Sequence, residues 1–137
     1  MLRILLRYFF IIACFASVLS CSDDAPNNPF VGTWTYINQT FTNCDNSSDN
    51  GTFDFECNAT DCYRLTFQSN RKLIYESLIG GSATTTEGSY SFENDKLTLC
   101  STGCDDPVTF TVSANTLILT NEDDAGCTVA TLLEKTM

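Results

Sequence analysis

From Phe30 onward, apolar and polar residues alternate with a period of two. Tyr63, Leu65 and Phe67 alternate with Arg64, Thr66 and Gln68, and Phe110 and Val112 with Thr109, Thr111 and Ser113. Leu97 and Leu99 flank Thr98; Leu117 and Leu119 flank Ile118. Successive side chains of a strand point to opposite faces, so this pattern predicts strands with one apolar face, and few windows suit an amphipathic helix. Turn-forming clusters punctuate the runs at Ser69-Asn70-Arg71, Gly80-Gly81-Ser82, Glu93-Asn94-Asp95, Ala114-Asn115 and Asp123 to Gly126. Together they predict eight strands, over 33–42, 62–68, 72–79, 83–92, 96–100, 107–113, 116–120 and 127–135. Most connections are short enough for hairpins, which in series make an antiparallel meander. Closure into an eight-stranded antiparallel up-and-down β-barrel buries the apolar face best and removes both exposed edges. An open sandwich is the alternative, and periodicity alone does not separate the two.

The long connection is 43–61, a polar stretch around Asn46-Ser47-Ser48-Asp49-Asn50-Gly51. Long loops without regular structure tend to be lids or binding loops, and in a barrel this one would sit at one mouth. Asp45, Ser47, Asp49 and Glu56 fall at spacings that suggest a calcium loop. However, the turn glycine is one place late and no helices flank it. The expectation is a solvated acidic loop pinned by disulfides.

Residues 1–20 break the alternation. Arg3 and Arg7 precede an apolar run from Tyr8 to Leu19, shorter than the roughly 20 residues a membrane-spanning helix needs. The segment reads as an export signal. Val18-Leu19-Ser20-Cys21 resembles a bacterial lipobox, which implies acylation of Cys21 as the mature N-terminus. The following Ser22-Asp23-Asp24 is similar to the acidic signal that sends Bacteroidota-type lipoproteins to the outer face of the outer membrane. Its plainer reading is the start of a solvated tether over 21–29, which holds Pro26 and Pro29. The expected location is the outer membrane, with display at the cell surface implied by the acidic signal. Several acyl chains on one cysteine hold a membrane more firmly than a single chain does.

Composition narrows the chemistry. The chain has 137 residues, eight cysteines, no histidine, and 17 acidic against 7 basic residues, for a net charge of −10. Without histidine, Ser-His-Asp triads and imidazole acid–base catalysis are excluded. The negative charge argues against a nucleic-acid partner. Loss of Arg3 and Arg7 with the signal deepens the charge, so the surface does not favour anionic lipid and the acyl chains must do the anchoring. The carboxylates Asp105-Asp106 and Glu122-Asp123-Asp124 cluster in turns, where solvated charge is expected. No catalytic residue, cofactor or metal is expected. Apart from Cys14 in the signal and Cys21, the cysteines are Cys44, Cys57, Cys62, Cys100, Cys104 and Cys127. An even number in a short exported chain predicts disulfides. Zinc is the rival, but neither Cys57-x4-Cys62 nor Cys100-x3-Cys104 is the usual tight knuckle.

Gly32-x-Trp34, within Phe30-Val31-Gly32-Thr33-Trp34, resembles the G-x-W signature of lipocalins. Leu65-Thr66-Phe67-Gln68-Ser69-Asn70, Gly88-Ser89-Tyr90-Ser91-Phe92 with Leu97-Thr98-Leu99, and Leu117-Ile118-Leu119-Thr120 with Gly126-Cys127 follow in serial order. The region 30–137 thus resembles the lipocalin-like domain of bacterial lipoproteins. The resemblance implies a barrel closed by Gly32 and Trp34, with a terminal cation across the indole. Here Lys135 replaces the more usual arginine. An inward-pointing ring at the start of the first strand also plugs the narrow end of a barrel on physical grounds.

If the first and last strands pair, Cys44 lies near Cys127. The expected disulfides are therefore Cys44–Cys127, with Cys57–Cys62 and Cys100–Cys104 as local staples. The expected interior comprises Tyr36, Leu65, Phe67, Leu73, Tyr75, Tyr90, Phe92, Leu97, Leu99, Phe110, Val112, Leu117 and Leu119. These side chains either meet one another or surround one small ligand. The expected function is non-enzymatic binding of a small hydrophobic ligand by a membrane-anchored protein. The alternative is a cell-envelope protein-interaction module, an inhibitor or adhesion accessory, with a filled barrel and a partner at the long loop. Phe41, Phe53 and Phe55 are the residues to follow there.

Overall fold

The predicted turns fold the chain back on itself repeatedly, and the computed structural model describes residues 28–136. The export signal, Cys21 and residues 21–27 of the tether lie outside the described residues. The strands are β1 (Gly32–Thr42), β2 (Gly51–Asp54), β3 (Cys62–Phe67), β4 (Lys72–Ile79), β5 (Ser82–Glu93), β6 (Lys96–Cys100), β7 (Val108–Val112), β8 (Thr116–Glu122) and β9 (Thr128–Lys135). A 3-10 turn spans Ser47–Asp49. All pairings are antiparallel, and β3 to β9 follow one another in order. β9 returns to β1 over a long seam from Trp34↔Lys135 to Thr42↔Thr128. The sheet is therefore a closed barrel of eight antiparallel strands with β2 added, and the sandwich is excluded.

β2 departs from the expectation of a loop without regular structure. Its four residues are all exposed, so no apolar alternation marks them. They are ordered by pairing with β1, from Asn38↔Asp54 to Phe41↔Gly51. β3 pairs with β1 only from Gly32↔Phe67 to Thr35↔Arg64. One edge of β1 is thus shared between β3 at its start and β2 at its end.

The two ends of the barrel differ. The closed end gathers the start of β1 and the β3–β4, β5–β6 and β7–β8 turns, while the other end carries the long loop. Phe30, ahead of β1, is fully buried at the closed end. Its ring meets Phe67, Phe92 and Phe110 at centroid distances of 5.5, 5.0 and 4.7 Å. Trp34, Leu97, Leu117 and Leu133 are likewise fully buried around it. Burying an aliphatic or aromatic side chain of this size stabilises by about 1.5–3 kcal/mol.

The three cysteine pairs join Cys44 to Cys127, Cys57 to Cys62 and Cys100 to Cys104. The first ties the end of β1 to the residue before β9, beside the closing seam.

Candidate binding site

The closed end is built by Gly32, Trp34 and Lys135. Trp34 donates its indole N–H to the Phe30 carbonyl at 2.7 Å, so a buried polar group is satisfied while the ring fills the base. Lys135 places its ammonium 5.3 Å from the centre of that ring. Gly32 has φ +134°, and a Cβ there would lie 2.6 Å from Lys135 Cε. Only glycine accepts both that backbone angle and the lysine lying across it. A second cation, Arg71, lies 4.4 Å from the Phe92 ring centre. Asn28 donates to the Tyr90 hydroxyl, which donates in turn to the Gln68 carbonyl.

All thirteen expected interior residues belong to the core or pack directly on it. They divide by height. In the closed half the rings of Phe67, Tyr90, Phe92 and Phe110 pack around Phe30, and Leu97, Val112, Leu117 and Leu119 belong to or pack on the same core. Toward the other end the filling stops. A cavity of about 320 Å³ opens there, with Leu65, Leu73 and Leu99 as its apolar wall. Tyr36, Tyr75, Thr86, Ser101 and Asp105 supply its polar groups, and Cys100 completes the lining. That volume is near the lower end of the roughly 300–1,000 Å³ typical of small-molecule sites.

Local structure positions each polar group. Tyr36 precedes a register shift in the β1–β9 ladder between Tyr36 and Asn38. The shift reverses the phase of β1, so Gln39 rather than Asn38 pairs with buried Thr131 and donates to its hydroxyl at 3.1 Å. Burial, followed by the neighbouring Tyr75, holds the Tyr36 hydroxyl well above its usual ionisation range. Burial, followed by Tyr63, raises Tyr75 as well. Both phenols are therefore neutral donors at physiological pH. The Cys100–Cys104 staple folds the chain after β6 into a tight loop, and the Asp105 N–H donates to the Leu99 carbonyl at 2.9 Å. This brings Asp105, an exposed residue, into the cavity lining.

Above the cavity, the Phe55 N–H donates to the Ile37 carbonyl at 2.7 Å. The Phe55 ring meets Tyr36 at 5.6 Å and Tyr63 at 5.5 Å, in edge-on contacts. It fills the space left where β3 parts from β1. Phe53, 59% exposed, packs edge-on against Phe55 at 5.1 Å. Phe41 lies on β1 opposite Gly51 of β2 and Val129 of β9.

Carboxylates crowd the open end of the barrel. The loops at the open end carry Asp45, Asp49, Glu56, Asp61, Asp105, Asp106, Asp123 and Asp124, with Asp54 and Glu122 at the adjoining strand ends. No lysine or arginine falls in those loops. Arg71, Lys72, Lys96 and Lys135 belong to the closed end, whereas Arg64 on β3 reaches the long loop and donates to Cys57 Sγ at 3.6 Å. Among the described residues, no group of three or more carboxylates and thiols is placed to hold a metal ion.

No family model matches the sequence, and no curated protein matches it. Solved structures do share the fold. A lipocalin-like protein from Bacteroides uniformis superposes with a TM-score of 0.60 at 14% identity, over 79% of this chain and 99% of that one. An uncharacterized protein from Bacteroides eggerthii gives 0.57 at 11% identity, over 78% and 99%. The chain therefore has the lipocalin-like barrel fold.

Proposed function

We propose that this barrel is a non-enzymatic binding module that holds one small, largely apolar molecule in the cavity between Tyr36, Tyr75 and Leu99. In this reading it is exported, acylated at Cys21 and anchored in the outer membrane with display at the cell surface. The hollow upper interior carries the proposal: the same wall that is filled around Phe30 is left open above Leu65 and Leu73. Leucines offer a solvent-shielded surface and the two neutral phenols can orient a polar end. The test is displacement of a hydrophobic fluorophore from the protein lacking residues 1–20. Leu99→Trp, which fills the cavity, is expected to abolish probe binding with the far-UV spectrum preserved. Unaltered binding in that variant would refute the site.

A second reading, docking of a protein partner at the long loop, is favoured by the exposure of Phe53 on the one-sided strand β2. Under it, Phe53→Ala would remove partner binding while fluorophore binding persisted.

A further inference from the structure

The cavity's lining contains one formal charge, the Asp105 carboxylate, and no basic side chain. Long-chain and short-chain acids are common occupants of apolar cavities, but a carboxylate ligand here would find one anion and no cation among the lining residues. Lys96 borders instead the adjoining groove that Asp105 also lines. The rings of Tyr36 and Tyr75 share the lining with Asp105. Ring faces attract cations and carboxylates pair with them, so these groups favour the same charge on a ligand. The acidic loops around the opening act in the same sense over a longer range, concentrating cations at the mouth. The cavity makes the site; the surrounding acids only bias what reaches it.

We infer that the molecule held in the barrel is a cationic amphiphile, a primary ammonium head at Asp105 and the tyrosine rings with a short apolar body against Leu65, Leu73 and Leu99. The inference rests on the binding reading above and adds the ligand's charge. The Tyr36 and Tyr75 hydroxyls, as neutral donors, leave the positive head to Asp105 and serve any hydroxyl or carbonyl further along the molecule. Ser101, on the same stapled loop, offers one more acceptor.

The experiment compares hexylammonium, hexanol and hexanoate as competitors of a neutral hydrophobic fluorophore, at low and high salt. Hexylammonium is expected to bind about tenfold more tightly than hexanoate at low salt, with hexanol between them and the spread narrowing as salt rises. Asp105→Asn is expected to bring the amine and the acid within about threefold of each other. Asp49→Asn, in the acidic surround but outside the lining, is expected to keep most of the preference. Hexanoate binding as well as hexylammonium, or a preference untouched by Asp105→Asn, would overturn the inference while leaving the barrel site standing. A fluorophore that never binds would remove the site and the inference together.

Discussion

Gly32 sits at φ +134° with the Lys135 side chain drawn across the space a Cβ would occupy. Gly32→Ala therefore combines backbone strain with displacement of the cation from Trp34, and is expected to cost about 1–3 kcal/mol in urea unfolding. Pairing it with Lys135→Ala should recover only the steric part, leaving the strain behind. Tyr36 makes a different prediction. Its raised ionisation in the folded state means that both states are protonated below about pH 10, and stability is fully present there. Above that, the unfolded chain ionises first, so stability falls as pH climbs toward the folded-state value. Thermal melts of Tyr36→Phe should show a shallower alkaline decline than the parent.

Among the elements, the Cys44–Cys127 link closes a sequence separation of 83, against 5 for Cys57–Cys62. Loop-closure entropy gives the long link about 4.5 kcal/mol and the short one about 2 kcal/mol as chain-entropy estimates. Replacing both cysteines by alanine should therefore lower the urea midpoint more for the first pair. The β1–β9 ladder should keep the barrel closed, with its far-UV spectrum retained. Strands with sustained alternation were legible because one face of each is buried; β3 and β8 begin and end within two residues of the expectation. β2 was not legible, since four exposed residues carry no pattern and owe their order to β1. The phase reversal after Tyr36 was equally hidden: nothing in Ile37 or Asn38 marks the shift that lets Gln39 meet Thr131. Phe30, the centre of the closed half, precedes the first strand, so strand periodicity could not place it inside. Gly88 did lie in a recognised run, and a Cβ there would collide with the Cys100 carbonyl. Gly88→Val is accordingly expected to split β5 from the end of β6, which hydrogen exchange at Ser89 and Cys100 would detect as faster exchange.

For the whole molecule, the division between a filled half and a hollow half is what the binding proposal rests on, and it depends on summed side-chain volumes that no single strand reveals. The described chain begins at the filled half, where Asn28 is tied to Tyr90 beneath Phe30. If Cys21 bears its acyl chains as proposed, the stretch from it to Asn28 reaches about 25 Å at full extension. An anchor at that pole would bring the base of the barrel nearer the bilayer than its opening. Molecules arriving from outside would then reach the tyrosines without crossing lipid, whereas lipids of the home leaflet would have to climb the outer wall to enter.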